Sequence, residues 1–179
     1  YPRNKISKLL AANELISLKR GLYVLADHYK TPLVKEAAAN LLYGPSYIST
    51  DYALSYYGLI PERAYNITSV TTSRRKVYHT PIGVFIYQQL KSKYYALGYE
   101  IHQKEGVKFL LATPEKALCD KLYLLPPEKN TAEFKELIYE DLRISPENIK
   151  ALQIARLKEY ALAADSRNLD LLINMWESV

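Results

Sequence analysis

Cysteine is almost absent from these 179 residues: Cys119 stands alone. One thiol excludes an intrachain disulfide framework, and with Ala117, Leu118 and Leu122 around it it reads as a buried, inert side chain. A reducing, cytoplasmic setting is the expectation. Histidine is nearly as scarce. His28, His79 and His102 are scattered, and without His-x3-His or Cys-x2-Cys spacing no metal site is expected. Long apolar runs are missing too, since a stretch such as Phe109 to Ala112 is far short of the ~20 residues a membrane helix needs. No Gly-x-Ser-x-Gly elbow is present for nucleophilic catalysis. Gly44-Pro45-Ser46 superficially matches the Gly-Ser of nucleotidyltransferases, but the Asp-x-Asp pair with which such enzymes hold divalent metal is absent. No signal-peptide pattern follows Tyr1, and the natural N-terminus is expected upstream. These gaps point to a non-enzymatic protein without a cofactor, whose function lies in its surfaces.

What is present is a globular composition, with 49% hydrophobic and 24% charged residues. A chain of this length suits one ordinary domain or two small ones and buries roughly 70% of its unfolded surface. The net charge of +5 is unevenly placed. Residues 1–35 carry seven Lys/Arg against Glu14 and Asp27, and residues 63–108 carry eight against Glu100 and Glu105. Two separated basic regions suggest a polyanionic partner. The 17 tyrosines are the strongest anomaly, and suit half-buried sheets, protein interfaces and base stacking equally well.

From Lys5 to Ala12, Ile6, Leu9 and Leu10 fall at i, i+3, i+4, which predicts a short helix with Arg3, Lys5 and Lys8 near its start and outer face. Leu15–Leu18 and Leu22–Leu25 flank Lys19-Arg20-Gly21, a hairpin whose glycine supplies the positive φ of a tight turn. A basic helix followed by a basic-tipped hairpin is what a winged helix needs: the helix enters a groove and the tip meets flanking phosphates. Three hydroxyl–proline pairs, Thr31-Pro32, Thr113-Pro114 and Ser145-Pro146, predict helix starts. Thr80-Pro81 looks similar, but Gly83 and the run Val84–Tyr87 make it a turn between strands. Ser49–Tyr57 reads as a helix closed by Gly58. Two alternating runs, around Tyr99 to His102 and Val107 to Leu111, predict antiparallel strands, and the chain beyond Thr113 is helical.

Tyr65–Tyr87 is the centre of this arrangement: β-branched residues, then Arg74-Arg75-Lys76, then an aromatic alternating run. Three adjacent charges cannot be desolvated cheaply, so the triplet is expected in an exposed loop. With Thr71, Thr72, Ser73, Tyr78 and His79 beside it, it suits contact with nucleic acid or an acidic protein. One enzymatic alternative remains, a metal-dependent nuclease built from Glu100, Glu105 and Lys108. Another is a protein-interaction module without DNA binding.

Three pieces of the chain together resemble one family. NELISLKRGLYVL is similar to the end of the N-terminal winged helix of AbiEi-type antitoxins of bacterial type IV toxin-antitoxin systems. GPSYISTDYALSYYGLIPE, followed by ITSVTT and TPIGVFIY, resembles that family's central region, and ATPEKALCDKLY resembles its Pro-Glu-x-x-Leu-x-Asp helix. Asn13 stands where the family commonly has glycine. The resemblance implies an abortive-infection antitoxin and transcriptional regulator: a winged helix that represses its own operon, and a larger domain that counteracts a nucleotidyltransferase-like toxin. It implies DNA binding through Arg3, Lys5, Lys8, Lys19 and Arg20, and partner binding through Arg74, Arg75, Lys76, Tyr78 and His79. The expected fold is α+β: residues 1–29 the end of a winged helix lacking its first helices, and residues 30–179 an antitoxin domain. In the latter, a central antiparallel sheet (65–112) is flanked by helices and followed by a helical part (113–179).

Overall fold

A computed structural model describes residues 2–26, 32–104 and 106–178. The chain opens with helix α1 (Pro2–Ala11) and the hairpin β1 (Leu15–Lys19) and β2 (Leu22–Leu25). Helix α2 (Pro32–Leu42), strand β3 (Ser46–Ile48) and helix α3 (Thr50–Tyr56) lead to strands β4 (Ile67–Thr71), β5 (Lys76–Thr80) and β6 (Gly83–Gln89). A short α4 (Ser92–Tyr95) precedes strands β7 (Tyr99–Lys104) and β8 (Val107–Ala112). Helices α5 (Pro114–Leu124), α6 (Thr131–Glu136), α7 (Pro146–Ala151), α8 (Ile154–Ala164) and α9 (Arg167–Ser178) follow, with a π-helical turn at Leu137–Asp141 after α6. The architecture is α+β, a sheet flanked by helices. No helix among the described residues is long and apolar enough to cross a membrane.

The six-stranded sheet runs in the order β5-β6-β4-β3-β8-β7. It is mixed rather than antiparallel. Strand β4 pairs parallel with β6, and β3 pairs parallel with β8, while β3–β4, β5–β6 and β7–β8 are antiparallel. The cause is local: β5 goes to the outer edge and the turn at Pro81 brings β6 back between it and β4, so β6 runs the same way as β4. Pro81 thus sits in a turn, where its missing N–H leaves no ladder bond unmade.

Strand β3 is only three residues long, all of them buried, and meets β8 at the single register Ile48↔Leu111. Where β3 has ended, α2 completes the edge of β8. Asn40 accepts from the Leu110 N–H at 2.6 Å and its amide donates to the Leu110 carbonyl. One side chain thereby satisfies both backbone groups of a strand residue, which would otherwise cost a desolvation penalty.

Register sorts the tyrosines onto both faces. Tyr78 is opposite Phe85, and Tyr87 follows two residues on, so both share one face. There Tyr43 of the α2 end packs edge-on to Tyr87 at 5.3 Å, and the Tyr87 hydroxyl donates to the Ala39 carbonyl at 2.6 Å. On the other face Tyr47 stacks on Tyr99 at 4.8 Å and contacts Tyr95 at 5.0 Å. These rings pack in and against the core, and the hydroxyls of Tyr87 and Tyr47 reach a backbone carbonyl and the Asp120 carboxylate, which accounts for part of the tyrosine excess.

The helix starts at Thr113 and Ser145 cap as expected, accepting from the Lys116 and Asn148 N–H groups. Helix α2 begins at Pro32, and its expected cap Thr31 lies outside the described residues. Ser49 stands at the cap position of α3 without capping it, because its hydroxyl is engaged elsewhere.

Candidate functional site

The N-terminal basic surface is built by α1 and the hairpin. Ile6, Leu9 and Leu10 turn inward, and Lys5 and Lys8 are exposed. Arg3 lies on the same helix, its side chain outside what is described. Helix α1 ends through Asn13 at φ 56, with Glu14 N–H donating to the Leu9 carbonyl at 2.9 Å. That left-handed position favours glycine and next asparagine, so Asn13 fits a place where glycine is the usual choice. The hairpin carries a register irregularity between Ser17 and Lys19, and Gly21 at φ 83 turns its tip. Arg20 is exposed there. Lys19 is turned inward: its ammonium donates to the Leu42 carbonyl at the end of α2. Leu18 joins the same core as Ala38 and Leu42. Lys19 thus anchors the hairpin to α2, and among the described side chains of this unit Lys5, Lys8 and Arg20 are the cations left facing solvent.

The second basic group lies at the open edge of the sheet. Arg74, Arg75 and Lys76 are all exposed, in the loop before β5 and its first residue. The Lys76 ammonium sits 4.9 Å from the Tyr78 ring centre and 5.4 Å from that of Tyr43, a cation–π arrangement. Tyr43 also donates to the Arg74 carbonyl at 3.2 Å. The strand alternation places Lys76 and Tyr78 on one face and Val77 and His79 on the other. The five expected partner-binding residues are therefore neighbours at one edge, divided between its two sides.

Of the three residues of the nuclease alternative, Glu100 and Lys108 are not brought together. Register sets Glu100 opposite Leu111 and Gln103 opposite Lys108. Glu100 therefore shares a face with His102, whereas Lys108 shares the opposite face with Gln103 and Ile101. Glu100 is exposed and faces Arg156 at 3.6 Å; Glu105 lies outside the described residues. Among the described residues no group of three His, Cys, Asp or Glu is placed to hold a metal.

Sequence reasoning missed the most unusual side chains of the protein. Lys116 and Asp120, one turn apart on α5, are ion-paired with both side chains fully buried. The other Asp120 oxygen accepts from the Ser49 hydroxyl at 2.6 Å and the Tyr47 hydroxyl at 3.1 Å. The Tyr94 ring lies 3.5 Å from the Lys116 ammonium. Burial, and then the Asp120 charge, push the Tyr47 hydroxyl far above its ordinary range. Burial lowers Lys116 despite its carboxylate partner. Burial likewise raises the Cys119 thiol, which leaves it inert at neutral pH. A pair fully closed to solvent cannot meet a substrate, so this cluster joins β3 to α5 and organises the core rather than performing chemistry.

No protein-family model matches the chain, and no curated protein matches it.

Proposed function

We propose that the chain is a non-enzymatic, cytoplasmic AbiEi-type antitoxin that represses its own operon through the N-terminal basic surface. Its body counteracts a nucleotidyltransferase-like toxin. The observation that supports this reading best is the α1–hairpin unit: an amphipathic helix with Lys5 and Lys8 outward, ended by Asn13 in the left-handed conformation, then a hairpin with Arg20 at its tip. That geometry offers one element to a groove and another to the flanking phosphates. The closed Lys116–Asp120 cluster and the separation of Glu100 from Lys108 give no support to a hydrolytic alternative.

Fluorescence anisotropy on a duplex from its own promoter tests the repressor half. Four phosphate contacts, from Arg3, Lys5, Lys8 and Arg20, give a log–log salt slope of about −3 to −4. Arg20→Ala is expected to reduce that slope by about 1 and leave stability unchanged. Lys19→Ala is expected to lower stability first, through the lost bond to Leu42. Absence of promoter binding, or binding indifferent to salt, overturns this half. Co-expression with the nucleotidyltransferase-like product of a neighbouring gene tests the other: the chain restores growth, and failure to do so overturns it.

A further inference from the structure

We propose that the open edge of β5 is a docking site for an extended acidic segment of a partner protein, which adds to the sheet as a further strand. The proposal deepens the partner-binding part of the function proposed above and rests on it for the existence of a protein partner. Among the described residues β5 ends the sheet and pairs only with β6. In an antiparallel edge strand every second residue turns its N–H and its C=O away from its neighbour, and such an edge is a template for another chain.

Charge says which chain. Arg74, Arg75 and Lys76 stand together at the start of this edge, and among the described residues none of the three has a salt-bridge partner. Lys76 is held over the Tyr43 and Tyr78 rings, so part of the cost of ordering it is already met. Beyond the triplet the edge becomes uncharged, with exposed Val77 and His79 and half-buried Thr80. The complementary segment carries carboxylates at one end and β-branched residues along the rest. A second copy of this chain does not fit, because its β5 brings no carboxylate to the triplet. Nor does nucleic acid match as well, because a phosphate backbone accepts from the edge N–H groups but has nothing to donate to the outward carbonyls.

The probe is a fluorescein-labelled octapeptide, Thr-Val-Thr-Val-Thr-Glu-Glu-Glu, with a second version N-methylated at alternate residues so that charge is kept and backbone donors are removed. Anisotropy is measured on the whole chain, and amide hydrogen exchange is followed at Val77–Thr80. Binding of the first peptide is expected to fall tenfold or more for the Arg74→Glu/Arg75→Glu double variant, whose side chains are exposed and whose fold is checked by circular dichroism. N-methylation is expected to weaken binding as strongly, and the β5 amides are expected to exchange more slowly in the complex. Equal binding of the two peptides, unchanged β5 exchange, or no peptide binding overturns the proposal. So does displacement of the peptide from Arg74 and Arg75 by a short duplex of unrelated sequence. The double variant keeps promoter binding through α1 and the hairpin. Loss of promoter binding by the native chain with the peptide result intact would count against the repressor reading alone.

Discussion

Removing the Asp120 carboxylate should be the most damaging single change in the core, and the reason can be worked from its neighbours. Asp120 takes three donors in full burial: the Lys116 ammonium and the Ser49 and Tyr47 hydroxyls. Asp120→Ala leaves an ammonium in the interior with only the Tyr94 and Tyr47 ring faces beside it. Breaking a buried pair from one side costs about 3–5 kcal/mol, and each orphaned hydroxyl adds about 1–3 kcal/mol before relaxation. Relaxation and non-additivity bring the expected loss to about 4–6 kcal/mol, against a total of roughly 5–15 kcal/mol for a domain. The Asp120→Asn variant keeps shape and one acceptor and should lose about 3 kcal/mol. The combination Lys116→Met/Asp120→Asn then removes the stranded charge and should recover at least half of that loss. Urea titration followed by circular dichroism, with all four members of the double-mutant cycle, reads the coupling. A coupling energy under about 1 kcal/mol, or an Asp120→Asn loss of that size, would refute the view that this pair is mutually dependent.

Other positions give independent tests. Gly98 has φ 68, and a Cβ there would lie 2.5 Å from the Tyr160 hydroxyl oxygen and 2.9 Å from Lys116 Cβ. Gly98→Ala should therefore destabilise by at least ~2 kcal/mol in urea, and Tyr160→Phe should not rescue it, because the ring carbon at 2.6 Å remains. Thr113→Ala and Ser145→Ala each lose one capping acceptor and should cost about 1 kcal/mol, whereas Ser49→Ala acts through Asp120 and should lose its effect in the Asp120→Asn background. Alkaline pH should unfold the protein in one step. Burial holds Tyr47, Tyr87 and Tyr94 protonated above the ordinary tyrosine range, so their contribution is intact below about pH 10 and is lost above it, as the unfolded chain releases protons that the folded one keeps. Lys116, lowered by burial, acts in the opposite direction. With three raised tyrosines against one lowered lysine, the net change is a loss of stability as pH rises through the free tyrosine value. Tyrosinate absorbance rising gradually ahead of the loss of ellipticity would contradict it. Tyr95 is less enclosed and is pushed up only to about 12.

Much of the local structure was legible because it depends on neighbours in sequence. The hairpin around Gly21, the turn at Pro81 and the caps at Thr113 and Ser145 each follow from the conformational limits of one or two residues. Strand β3 was not legible. Three buried residues, Ser46, Tyr47 and Ile48, are too few to show alternation, and their strand character comes from β4 and β8 on either side. The mixed sheet was hidden for a related reason: nothing within β4, β5 or β6 states that β5 passes outside β6. The split of Glu100 from Lys108, by contrast, was available in principle. Lys104 stands opposite Val107, and counting back along both strands sets Glu100 opposite Leu111. Parity then puts Lys108 on the other face.

The Lys116–Asp120 pair shows why charge in a sequence is a poor guide to where charge acts. Its i, i+4 spacing is that of an ordinary solvent-exposed helix pair, and ATPEKALCDKLY carries no mark that Lys116 is enclosed and Lys121 is not. The mark is elsewhere, in Tyr47 on β3, Ser49 at the start of α3 and Tyr94 on α4, which together close the site. The same lesson runs the other way at the hairpin, where Lys19 and Arg20 are adjacent and alike in sequence yet one ties the hairpin to α2 and the other faces solvent. Discounting Lys116 and Lys19, two groups of outward cations stand out among the described residues, Lys5, Lys8 and Arg20 on the helix–hairpin unit and Arg74, Arg75 and Lys76 at the β5 edge, while others such as Arg63, Lys91, Lys129 and Lys158 are spread elsewhere. The two groups differ in what surrounds their charge. The first is carried by a helix face and a turn, shapes that meet a groove and its phosphates. The second adjoins the outer edge of β5, a shape that suits pairing with an extended polypeptide. The proposed DNA contact and the proposed strand docking therefore fall on different surfaces and can be tested by separate substitutions, Arg20→Ala for the first and Arg74→Glu/Arg75→Glu for the second.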